Sequence, residues 1–227
     1  MQDESKKRAL IFAISFIGLF VMTFLVVNEH ANAFDNIIYS SINALASAQM
    51  TLIVQVITML GSPLVITAFA MILLALNRNR SDSLYVIFMT GITYLFNYGY
   101  MNFVMRPIPS GIHMVALSGF SFPSEYVSLA IVFYGLVFFH VGRSIKNDVV
   151  KITLIVIYSF LIVAIGASRI YLGASHFTDV IASLFIVGIT NTVILFLVDL
   201  MRIIANQTTV EEKKYPDDEI VDELITD

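Results

Sequence analysis

The 227-residue chain is 58% hydrophobic and only 13% charged, and it has no cysteine. Soluble domains carry about 25% charged residues, so an ordinary water-soluble enzyme is excluded; the missing cysteines exclude disulfides, thiolate metal sites and cysteine nucleophiles. The net charge of -4 belongs to the C-terminal end, because 210–227 holds eight acidic residues and two lysines while the rest carries 11 Lys and Arg against nine Asp and Glu.

Six apolar segments follow in order, at 9–27, 50–76, 84–105, 126–141, 149–167 and 180–201. Each approaches the roughly 20 residues that a membrane-crossing helix needs. They predict an all-α polytopic bundle of about six transmembrane helices over a domain 1–205. The first segment sits between Lys6-Lys7-Arg8 and Ala31-Asn32-Ala33, a frame like that of a signal peptide. Its apolar run of about 19 residues exceeds the 7–15 of such peptides and predicts a retained span. After it, Phe34, Ile37, Ile38 and Ile42 recur at near-helical spacing and predict an interfacial helix. In the second segment, Gly61-Ser62-Pro63 predicts a kink whose freed carbonyl a neighbour must satisfy. The fourth is short and reaches spanning length only if it starts near Phe122. The acidic end, 206–227, offers too little apolar area to offset the entropy of ordering and is expected to be a disordered tail.

Lys6, Lys7, Arg8, Arg78, Arg80, Arg143, Lys146, Lys151, Arg202, Lys213 and Lys214 fall on one side of the membrane, and only Arg106 and Arg169 on the other. Cytoplasmic loops are the basic ones, so both termini are expected inside, in a multi-pass plasma-membrane protein. The two outward arginines break this rule and point to a local task.

Polar residues gather at that outer side in three segments. They are Met101-Asn102-Phe103-Val104-Met105-Arg106-Pro107-Ile108-Pro109, then Phe122-Pro123-Ser124-Glu125-Tyr126, then Ser168-Arg169-Ile170-Tyr171-Leu172-Gly173-Ala174-Ser175-His176-Phe177-Thr178-Asp179. Arginine forks, hydroxyls and helix N-termini together suit a phosphate. In order and spacing the segments resemble the motifs of the type 2 phosphatidic acid phosphatase superfamily, six-span phosphatases of lipid phosphates that include undecaprenyl-pyrophosphate phosphatases. Those motifs read Lys, six residues, Arg-Pro; then Pro-Ser-Gly-His; then Ser-Arg, five residues, His, three residues, Asp. Pro109, Pro123, Ser124, Ser168, Arg169 and Asp179 match them. Met101 stands at the lysine, Ile108 at the first arginine, Glu125 at the glycine, Tyr126 at the second motif's histidine and Ser175 at the third motif's histidine.

The resemblance implies a division of labour. The third motif's histidine attacks phosphorus, an aspartate orients it, the second motif's histidine protonates the leaving oxygen, and lysine, arginines, serine and backbone amides hold the phosphate. Here the attacking imidazole is replaced by Ser175, which needs an adjacent base. A tyrosine, with a reference pKa of about 10, is a poor acid beside a histidine near 6.5. Loss of one member of such a set lowers the rate by up to about 10⁶-fold. The expected protein is therefore catalytically impaired or inactive, with a residual lipid-phosphate pocket formed by Arg169, Ser124, Ser168 and Arg106.

Two alternatives stay open. His176, beside the lost nucleophile and three residues from Asp179, serves a rebuilt active site; or the protein is a structural partner with a closed relic pocket. Arg106 either adds charge to the pocket or anchors its span. Arg169 either binds an anion or pairs internally with Asp179 or Glu125. His30, His113 and His140 read as interfacial or solvated. The expected partners are a membrane lipid and an envelope-lipid protein; no nucleic acid, cofactor or metal is expected.

Overall fold

The computed structural model describes residues 2–77, 79–110, 114–115 and 119–214, with side chains placed between 4 and 201. Arg78, His113, the side chains of Arg202, Lys213 and Lys214, and the tail beyond 214 lie outside the described residues. Among the described residues the chain is all-helical: α1 (Gln2–Val27), α2 (Asn32–Asn43), α3 (Ala48–Met59), α4 (Pro63–Leu76), α5 (Arg80–Val104), α6 (Glu125–Ser144), α7 (Asp148–Tyr171) and α8 (Phe177–Lys214). The chain divides into two compact units, Met1–Asn191 and Thr192–Asp227. The second contains the remainder of α8, and everything below concerns the first.

The protein is a multi-pass membrane protein. Helices α1, α6, α7 and α8 are each long and apolar enough to cross a bilayer, and α2 with α3, bent by 120° at their break, makes a fifth span if taken as one. The expectation of six spans counted differently, taking α5 as one span and α3 with α4 as another. α5 has 25 residues but carries Asp82, Asn97 and several hydroxyls, which lower its apolarity.

Local signals set several helix ends. Ser47 caps α3 by accepting from the Met50 amide, and Asn147 caps α7 in the same way. The expected kink is a complete break: Ser62 caps α4, Pro63 takes its first position, and Leu60 ends α3. The Tyr134 hydroxyl on α6 donates to the Leu60 carbonyl at 2.8 Å, so the freed acceptor is satisfied by a neighbour. Gly61 makes the approach possible, since a Cβ there would lie 2.9 Å from the Tyr126 carbonyl and 2.8 Å from Ile165.

Helices α5, α6 and α7 pack in series, α4 leans on α5 and α6, and α2 and α3 lean on α7. One apolar cluster joins Ile66, Val86, Leu129 and Phe133, and another joins Val127, Ala130 and Ile165. Polar contacts run through the interior as well. Ser128 donates to Asn97 at 2.8 Å, and Thr93 and Thr190 meet at 3.4 Å. Such bonds supply direction where lipid tails remove the usual apolar driving force. α1 joins through Thr23 and Tyr100, 2.7 Å apart, and through small residues, with Ser15 against Gly188. Its Leu10, Ile14, Ile17 and Phe20 remain outward, as a lipid-facing surface requires.

Candidate functional site

The site is built where α5 ends, α6 and α8 begin, and α7 ends. α5 stops at Met105, a left-handed cap at φ 54°, and the chain turns so that Arg106 points inward with 6% of its surface exposed. Its guanidinium meets Asp179 of α8 at 2.5 Å and Asp35 of α2 at 2.7 Å. Thr178 ties the same group together. Its hydroxyl lies 2.8 Å from Arg106 and 2.7 Å from Asp35, and its amide donates to Asp35 at 2.9 Å. Asp35 thereby satisfies a backbone donor in the first turn of α8 and complements that helix's positive end.

Asp35 was not among the residues singled out by sequence. The signal was present: Asp35, Ile38 and Ile42 follow i, i+3, i+7 spacing, so the carboxylate stands on the inward stripe of α2. That helix forms as expected, with Asp35 buried and Ile38 and Ile42 half-buried, while Phe34 and Ile37 face outward.

Of the two partners that an internal pairing of Arg169 would use, Asp179 is taken by other residues. Asp179 is held by Arg106, which takes one carboxylate oxygen, and by His176, which takes the other. Arg169, on the last turn of α7, instead lies against the Tyr126 ring, its Cζ 3.9 Å from the centroid. This is a cation–π contact. Its Nε is buried with no hydrogen-bond partner among the described residues. Glu125 opens α6, where a carboxylate favours the helix N-terminus.

The motif serines are buried beside Arg169. Ser175 donates to Ser124 at 3.3 Å, Ser168 donates back to Ile165 at 2.6 Å, and the Ser124 amide donates to the Asp179 carbonyl at 3.1 Å. Among the described residues no imidazole is hydrogen-bonded to Ser175, whose hydroxyl turns to Ser124 instead of to the base that a nucleophile needs. Met101 is buried in α5.

His176 is half-buried. Its amide donates to Asp179 at 2.7 Å, and its Nδ1 lies 3.1 Å from the same carboxylate oxygen and 3.4 Å from Ser121. It lines a pocket of about 440 Å³ together with Arg106, Glu29, Asn32, Asn36 and Ile108. Ser124, Ser168, Arg169 and Ser175 are not part of that lining. Among the described residues, no three His, Asp or Glu side chains are grouped to hold a metal ion.

The model of the PAP2 superfamily matches residues 82–203. No curated protein matches the chain. Among solved structures, the PAP2-type phosphatidylglycerolphosphate phosphatase of Bacillus subtilis is similar in fold. It has a TM-score of 0.74 and 21% identity over 84% of this chain and 96% of that one. LpxE of Aquifex aeolicus is similar at a TM-score of 0.55 and 20% identity, over 69% of this chain and 90% of that one.

Proposed function

Because the chain belongs to the PAP2 superfamily, we propose that it keeps the scaffold of a membrane lipid-phosphate phosphatase without its chemistry. In this reading the termini are cytoplasmic, six segments cross the plasma membrane, and the motif loops face outward. The 11 cations placed inside by the charge count support that orientation. A membrane lipid phosphate is the ligand class, supported by a fold neighbour that is a phosphatidylglycerolphosphate phosphatase.

The observation that carries the reading is the state of Asp179. In the resemblance this carboxylate orients a nucleophilic histidine; here that position is Ser175, and both carboxylate oxygens are engaged by Arg106 and His176. Arg106 is not a free phosphate ligand, since two buried carboxylates hold it. An incoming phosphate would have to displace a carboxylate or meet two negative charges. Arg169 is the remaining anion ligand, and Tyr126 covers it. Its partnerless Nε supports residual phosphate binding once that ring swings aside, because a buried guanidinium donor without an acceptor is costly.

Phosphate release from undecaprenyl pyrophosphate, phosphatidic acid and phosphatidylglycerolphosphate, measured on detergent-purified protein, tests this. Wild type and His176→Ala are both expected to stay at background. Turnover abolished by His176→Ala would favour the second reading, a rebuilt site, which rests on the 3.1 Å contact that holds His176 Nδ1 against Asp179. Binding of phosphatidic acid is expected to weaken in Arg169→Ala. Unchanged binding would leave the structural-partner reading in its place.

A further inference from the structure

A second cavity, of about 530 Å³, lies between α6 and α7 at the end of α6 away from Ser124. Eighteen residues of helix separate Glu125 from Arg143, about 27 Å of rise, close to the roughly 30 Å hydrocarbon thickness. The cavity therefore opens at the opposite membrane face from the Ser124–Arg169 site.

The sequence explains why the space exists. Gly135 and Gly142 stand seven residues apart, on one stripe of α6, and leave a trough where side chains would otherwise meet α7. Tyr158 of α7 closes one end. Its hydroxyl donates to the Ile131 carbonyl at 3.1 Å, and a Cβ on Gly135 would lie 3.1 Å from that same hydroxyl. At Gly142 nothing lies within 4 Å of an added Cβ, so this end is open. Phe138, Leu154 and Ile155 help make the walls apolar.

Two cations line the open end, Arg143 and Lys151. Arg143 rests 5.6 Å from the Phe139 ring centroid. Lys151 contacts Asp148 at 3.3 Å, but the Asp148 side chain is 87% exposed, and such a surface pair is weak. An apolar trough with cations at its mouth matches an amphiphile with a negative head. It does not match a free anion, which has no use for apolar walls.

We propose that this groove holds one anionic phospholipid, an acyl chain lying along Gly135 and Gly142 and the phosphate at Arg143 and Lys151. The site is independent of the outer pocket and of whether that pocket has activity.

Native mass spectrometry of the full chain, released from nanodiscs of phosphatidylglycerol or of phosphatidylcholine, tests the proposal. Wild type is expected to retain one phosphatidylglycerol and little phosphatidylcholine. Arg143→Gln with Lys151→Gln should lower phosphatidylglycerol retention roughly 30-fold, about fivefold for each cation near an anionic head. Gly142→Leu fills the trough and should abolish retention while keeping the thermal midpoint in phosphatidylcholine discs. Lys146→Gln, on the same connection but outside the lining, should change nothing, and excess inorganic phosphate should not compete. Equal retention of both lipids by wild type overturns the proposal. So does retention that survives Gly142→Leu, or that falls as far with Lys146→Gln, or competition by inorganic phosphate. A dimer that Gly142→Leu dissociates would assign the groove to a second copy of the chain and overturn it equally.

Discussion

Arg106 is held by two carboxylates that the chain supplies from opposite ends of the unit, and removing the cation leaves both without their charge partner. Breaking a buried pair in this way costs about 3–5 kcal/mol. Arg106→Met is therefore expected to lower the thermal midpoint in detergent more than Asp35→Asn. The asparagine keeps an acceptor for the Thr178 amide and leaves Arg106 bound to Asp179. The reverse order would show that the carboxylate of α2, not the guanidinium, organises the cluster. Arg106 drew attention in the sequence because it broke the charge asymmetry, but its partners were not legible there. Asp35 is 71 residues away in a segment with no motif, and only its place on the inward stripe of α2 hinted at burial. Arg169 was matched by motif, yet its neighbour Tyr126 was read as a poor acid, not as the ring that covers it. Spacing along one chain cannot say which face of α6 meets which turn of α7.

At the scale of elements, close approach governs two joints. Where α1 meets α8, Gly188 leaves room for Ser15, and a Cβ there would collide with it. Gly188→Val is expected to push α1 away, with a destabilisation of about 1–3 kcal/mol typical of overpacking. A lower midpoint together with faster proteolysis at the end of α1 would register it; an unchanged midpoint would mean that α1 adjusts freely. At the α3–α4 break, Tyr134→Phe removes the donor to the Leu60 carbonyl and should cost about 1–3 kcal/mol if that acceptor is left dry. A kink was legible here from Gly61-Ser62-Pro63, but the complete break, with Ser62 as cap and Pro63 as first helical residue, goes further than the expected kink. The identity of the donor was not legible, since Tyr134 lies 74 residues away. α2 was legible as a helix from its apolar spacing. Its bend against α3 was not, because a turn between two helices leaves little periodic trace.

For the whole molecule, composition and motif order indicated a membrane-embedded helical phosphatase scaffold, and the fold neighbours share it. The span count was harder to read, because hydropathy weighs α5 by its polar residues and not by what they contact. The cluster also changes what repair requires. Replacing the five altered positions together (Met101→Lys, Ile108→Arg, Glu125→Gly, Tyr126→His and Ser175→His) restores the residues but not the aspartate, because Arg106 holds one of its oxygens and the His176 ring competes for the other. That five-fold variant is expected to release phosphate from lipid phosphates measurably faster once His176→Ala is added. Equal rates with and without the sixth change would show that Asp179 exchanges partners at no cost.

The contact between Asp35 and the start of α8 has a consequence for how the chain is made. Asp35 emerges 143 residues before Thr178, and translation supplies the N-terminal part first. While the ribosome is still making α3 to α7, the early carboxylate waits, first for Arg106 and then for the arrival of the last helix. The cluster can thus close only when α8 is in place. A chain cut short before that point carries Asp35 and Arg106 without Thr178 and Asp179, the partners that complete the cluster.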